Sequence, residues 1–94
     1  MENIKYQIVE NDNSCKTMDK HSAKSYIKDF AEDIFSIKKS YQIGKKTFFM
    51  TLFSIEHDFS AQEYIDHYKN LSDTYYGKDF MSDFDIYVIK KLNP

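Results

Sequence analysis

Apolar side chains recur along this chain at two periods, and the switches between them outline six elements. From Asn3 to Val9 the pattern alternates, with Ile4, Tyr6 and Ile8 on one face and Lys5, Gln7 and Val9 on the other, which predicts a strand. The polar run ENDNSCKT, Glu10 to Thr17, reads as a loop. Asp19 then stands as a helix N-cap, with Met18 placed to staple against Ala23. Through Lys38 the positions Ala23, Tyr26, Ile27, Phe30, Ala31, Ile34 and Phe35 keep helical spacing, predicting one amphipathic helix closed by Lys38 and Lys39.

Ser40–Ile43 and Lys46–Ile55 read as two strands around Gly44-Lys45, a pair that suits a type II′ hairpin turn. Ser60 and Glu63 have capping-box spacing, and Phe59 and Tyr64 occupy the staple positions, so a second helix is predicted to start near Ala61. Tyr64, Ile65, Tyr68 and Leu71 form its buried stripe. The segment SDTYYGKDFMSDFD reads as a loop, and Phe84–Leu92 alternates as a final strand. Strand, helix, strand, strand, helix, strand is the ferredoxin-like βαββαβ order. The predicted class is therefore α+β, a single domain over residues 1–94: a four-stranded antiparallel sheet with two helices on one face and the first and third strands central.

The stretch KKTFFMTLFSIE, Lys45 to Glu56, has apolar side chains on both of its faces. Hairpin register puts Tyr41, Ile43, Phe48, Met50 and Leu52 on one face, assigned to the helices. The other then carries Phe49, Thr51, Phe53 and Ile55, joined by Gln42, Lys5, Gln7, Tyr87, Ile89 and Lys91. A one-residue slip exchanges the two faces.

Composition narrows the function classes. Ninety-four residues with 41% hydrophobic and 17% aromatic content lie clear of disordered compositions. No apolar run reaches the roughly 20 residues of a membrane span, and MENIKYQIVE lacks the form of a secretory signal, so no membrane role and a cytoplasmic location are expected. The single Cys15 permits no internal disulfide. All 13 basic residues are lysines, so there is no planar fork for phosphate or carboxylate. Between Glu56 and Asp85 stand eight acids against Lys69 and Lys78, while the rest of the chain is slightly basic.

Catalytic chemistry finds few footholds. Cys15 beside Lys16 is a lone thiol without a nearby histidine in sequence. His57 and His67, with Asp58, Glu63 and Asp66, suggest at most an unusual metal set, since Glu63 and His67 alone share a helix face at i, i+4. Glycine-rich phosphate loops, GxSxG and HExxH are absent. No enzyme activity, cofactor or metal is expected, and a small enzyme or metal protein using His57 and His67 is one alternative. A second is a single-stranded nucleic-acid-binding domain: Lys46, Phe48 and Phe53 resemble the third-strand octet of an RNA-recognition motif. That resemblance implies base stacking on the sheet, but it demands the opposite face assignment.

The leading expectation is a small non-enzymatic protein-interaction module. Its expected contact residues are Phe49, Phe53 and Tyr87 on the sheet face, and Tyr75, Tyr76, Asp79, Phe80 and Asp83 in the acidic aromatic loop. A homodimer through the sheet face is the simplest version. A small acidic chain also suits an inhibitor of a basic host (defence) protein, of the kind phages and mobile elements encode.

Overall fold

The alternation at the start of the chain does make a strand. Asn3–Glu10 is β1, with Tyr6 and Ile8 buried and Lys5 exposed. The computed structural model of the chain describes residues 3–71 and 81–93. Contacts divide the chain into two units, Met1–Ile55 and Glu56–Pro94.

In the first unit, the run read as a loop contains a second strand, β2 (Cys15–Met18), which turns back on β1. A three-residue turn makes the hairpin: Asn13 N–H donates to Glu10 O at 2.9 Å, and Glu10 N–H to Ser14 O at 2.9 Å. Asn13 takes a φ of 70°, a left-handed conformation that its short amide side chain tolerates. Nothing in Cys-Lys-Thr-Met announces a strand, because an edge strand with one half-buried side chain needs no apolar alternation.

Helix α1 (Lys20–Phe30) starts at the predicted cap, where Asp19 Oδ1 accepts from Ser22 N–H at 2.8 Å. It ends eight residues earlier than expected. A 3-10 turn, Ala31–Asp33, leads into β3 (Ile34–Ile43), so residues 34–38 are strand rather than helix. Ile34 and Ile37 are β-branched and both are buried, and Ile37 pairs with Ile8; long-range pairing overrides a helical spacing that continued by coincidence. Gly44, at φ 60°, then makes the hairpin to β4 (Lys46–Ser54), with Ile43 opposite Lys46 as the type II′ reading requires.

The sheet is four-stranded, antiparallel and ordered β2-β1-β3-β4. Two hairpins flank a single helix, in place of the ferredoxin-like order. The first strand is central as expected, but its central neighbour is β3, and β4 is an edge. Helix α1 packs on the face that carries Tyr6 and Ile8: Lys16, opposite Ile8, sits 5.1 Å from the centre of the Tyr26 ring. Two bulges break the register, one between Val9 and Glu10 and one between Ile37 and Lys38.

In the second unit, α2 (Ala61–Leu71) begins with the predicted capping box. Glu63 N–H donates to Ser60 Oγ and Ser60 N–H to Glu63 Oε1, each at 3.2 Å. Phe59 meets Tyr64 edge-on at 5.4 Å, the expected staple. The predicted last strand is instead helix α3 (Asp83–Leu92), which packs against α2. Ser82 and Asp85 cap it reciprocally at 3.2 and 3.0 Å, while Phe84, Val88 and Ile89 are buried along one side. The same apolar residues fit either period, and the cap decides between them.

Two outcomes follow from these caps. Ser82→Ala should lower helix content and cost about 1 kcal/mol in urea denaturation; a strand beginning at Phe84 would make the substitution nearly silent. For Asp19, bonds from the Ser22 N–H and hydroxyl hold the carboxyl below its ordinary value of 3.8. The stabilisation this reflects is complete above that value and is lost as pH falls through the lowered one. Asparagine caps without titrating, so Asp19→Asn should match the wild type near neutrality and show a flatter acid limb in a stability-versus-pH series.

Candidate functional site

The sheet has a covered face and an open one. On the covered face, Tyr6, Ile8, Ile37, Tyr41, Met50 and Leu52 are buried, and Tyr41, Met50 and Leu52 are on the side the hairpin register implied. Lys39 lies among them, 1% exposed, opposite Tyr6 and Met50, with its ammonium 5.5 Å from the centre of the Tyr41 ring. The helix expected through Lys38 would have Lys39 closing its C-terminal end; β3 replaces those last turns, and Lys39 lies in the sheet instead.

Alternation fixes the open face row by row. Ser40 of β3 stands between Lys5 of β1 and Phe49 of β4. One row along, Gln7 lies between Thr17 and Lys38, and Lys38 faces Thr51. One row the other way, Gln42 faces Thr47. Phe49 is 63% exposed, the most exposed of the large apolar side chains among the described residues. Its cross-strand neighbour is Ser40, and Lys38 and Gln42 are its diagonal neighbours, at roughly 7–8 Å between backbones. Cys15 is also on this face, opposite Val9, where its sulfur accepts from Gln7 Nε2 at 3.3 Å.

The face is more polar than the sequence suggested, for three physical reasons. The bulge shifts β4 by one residue: Lys38 faces Thr51, but Ile37 faces Phe53, so the half-buried Phe53 leaves the row begun by Phe49 and Thr51. Ile55 lies past the end of β4, exposed, with its N–H donating to Phe35 O at 2.9 Å. Tyr87, Ile89 and Lys91 are on helix α3 and do not join the sheet. Tyr87 is 42% exposed there, stacked on Phe84 at 6.3 Å with the Lys91 ammonium 5.9 Å from its ring centre. Of the expected apolar surplus, Phe49 alone holds its place.

The remaining candidates separate. Asp83 is exposed in the first turn of α3, where a carboxylate complements the helix dipole. Tyr75, Tyr76, Asp79 and Phe80 lie outside the described residues. Phe48, one of the three residues matching the RNA-recognition octet, faces Tyr41 on the covered side and is half-buried. His57 Nδ1 lies 3.3 Å from Tyr64 OH, Glu63 is committed to its cap, and His67 packs edge-on to Tyr68 at 5.0 Å. Among the described residues, no group of three or more histidine, cysteine or acidic side chains is placed to hold a metal.

No family model, curated protein or solved structure matches this chain.

Charge distribution completes the picture. The four strands contain five lysines (Lys5, Lys16, Lys38, Lys39 and Lys46) and one acid, Glu10. Glu10 falls on the covered side with Ile8, where its carboxylate meets the Lys16 ammonium at 2.5 Å. Lys5 and Lys38 are both exposed on the open face, and no acid stands on that face among the described strand residues. The sequence held this signal in the near absence of acids from its strands, but it became visible only once the strands were correctly bounded.

Proposed function

We propose that the chain is a protein-interaction module that docks its partner on the open sheet face, with Phe49 as the anchor. The observation that carries this reading is the 63% exposure of a phenylalanine within β4, with Lys38, Ser40, Gln42, Thr47 and Thr51 as its neighbours on the face. A single large aromatic within a ring of polar side chains has the make-up of an interface hot spot, where the ring gives up most of its water contact on binding. The small Ser40, Thr47 and Thr51 allow a partner's surface to approach closely. Such a module works by occupying its partner's surface, which is how a protein inhibitor acts.

The composition of the face favours a protein over a nucleic acid. Two lysines neutralise at most two phosphates, so counterion release is small, and one stacking ring holds one base.

Photo-crosslinking tests the placement. A photoreactive side chain at Thr47 or Gln42, both exposed on the open face, should yield a protein adduct in cells. The same group at Lys24, exposed on α1, should yield little. Equal yields from all three positions, or none from the open face, would reject the site.

A further inference from the structure

We infer that the outer edge of β2, together with the groove beside it on α1, binds an extended peptide segment of another protein, which joins the sheet as an added strand. The site is separate from the Phe49 face: β2 and β4 are opposite edges of the sheet, three strand spacings or about 14 Å apart. Two independent observations meet there. The first is a row of backbone groups that face solvent. Glu10 N–H donates to Ser14 O, so these two residues form a hydrogen-bonded pair. Antiparallel pairs alternate, so Lys16 and Met18 bond inward to Ile8 and Tyr6, while Cys15 and Thr17 turn their N–H and C=O groups outward. Both residues are exposed, and β1 is the only strand beside β2 among the described residues. Donors and acceptors repeating at every second residue are matched by the backbone of another strand.

The second observation is a groove of about 390 Å³ that runs along α1 from the end of β2. Met18, Tyr26 and Phe30 are its apolar wall, with the two rings 4.8 Å apart, and His21, Ser25 and Asp29 stand at its rim. Met18 lies opposite the buried Tyr6, on the side of the sheet that α1 covers. In a strand added beside β2, every second side chain would therefore point toward the groove, alongside Lys16 and Met18. The edge supplies backbone bonds and register, and the groove selects an apolar side chain. A second copy paired through its own β2 offers only Lys16 and Met18 at those positions. Both are already engaged at home: Lys16 pairs with Glu10 and lies over the Tyr26 ring, and Met18 lines its own groove. Such a dimer leaves both grooves unfilled, whereas a segment of different sequence can fill one.

The test uses the full chain and a displayed library of short random linear peptides, from which the tightest binder is synthesised and titrated calorimetrically. Methylating successive backbone nitrogens of that peptide should abolish binding at every second position and be tolerated between them. This scan reads the wild-type chain, so it decides whether or not the edge variant folds. Thr17→Pro removes an outward N–H and keeps the inward ladder, a place where a strand accepts proline. It should weaken binding about tenfold or more, because a peptide carbonyl is left unpaired. Phe30→Ala should weaken it about tenfold, and Phe49→Ala should leave it within about twofold of wild type. No enriched peptide, methylation effects without a period of two, or loss with Phe49→Ala but not with Phe30→Ala would overturn the inference. Light scattering at twice the chain mass, returned to monomer by Thr17→Pro, would also overturn it by giving the edge to a second copy.

Discussion

Phe49→Ala should weaken partner binding about a hundredfold, or about 2.8 kcal/mol, while leaving the unfolding midpoint in urea almost unchanged. The two halves of this expectation come from the same fact. Because the ring is 63% exposed, its removal withdraws little buried area from the fold and opens no internal cavity. In the proposed complex, the same ring should give up most of its water contact and be the largest apolar contribution of the patch. Phe53→Ala should behave differently. Phe53 is half-buried opposite Ile37, so its loss should appear mainly as reduced stability.

The second large effect concerns the core. Ile37→Ala should destabilise the chain by about 2–5 kcal/mol in urea denaturation. Ile37 is 0% exposed, lies opposite Ile8 on β1 and faces Phe53 across the bulge. Deleting its outer carbons leaves a hole between two rigid strands that cannot close on it. The number also discriminates between folds. In the helix that the sequence suggested through Lys38, Ile37 falls outside the apolar stripe formed by Ala23, Tyr26, Ile27, Phe30, Ala31, Ile34 and Phe35. On that helix its truncation would cost well under 1 kcal/mol.

What was legible in the sequence was local. The alternation of Asn3–Val9, the Gly44 turn, the Asp19 cap, and the Ser60–Glu63 box with its Phe59–Tyr64 staple each involve residues a few positions apart, and each formed as read. Errors arose where local pattern is ambiguous and distant contacts decide. Ile34 and Phe35 continue the helical spacing while Phe35 and Ile37 alternate with Ser36 and Lys38, and pairing with β1 selects the strand. Phe84–Leu92 also satisfies both, and the decisive signal was the Ser82–Asp85 spacing, a capping box with aspartate where glutamate is usual. β2 carries no apolar signal because it has almost nothing to bury.

The candidate site shows the same division. Phe49 was placed on the open face by hairpin register alone, which is a local deduction. Phe53 was misplaced because a bulge depends on the partner strand and is invisible in a single run of residues. Tyr87 was misplaced because its element was. Lys5 and Lys38, far apart in sequence, are brought to adjoining rows only by the pairing of β1 with β3.

The most direct test is a side-by-side titration of the Thr47-crosslinked partner against Phe49→Ala and Phe30→Ala. Both residues are exposed phenylalanines of the first unit, Phe49 on the open sheet face and Phe30 at 46% exposure on α1. Affinity should fall about a hundredfold for Phe49→Ala and stay within about twofold of wild type for Phe30→Ala. Equal losses, or a loss only with Phe30→Ala, would contradict the account.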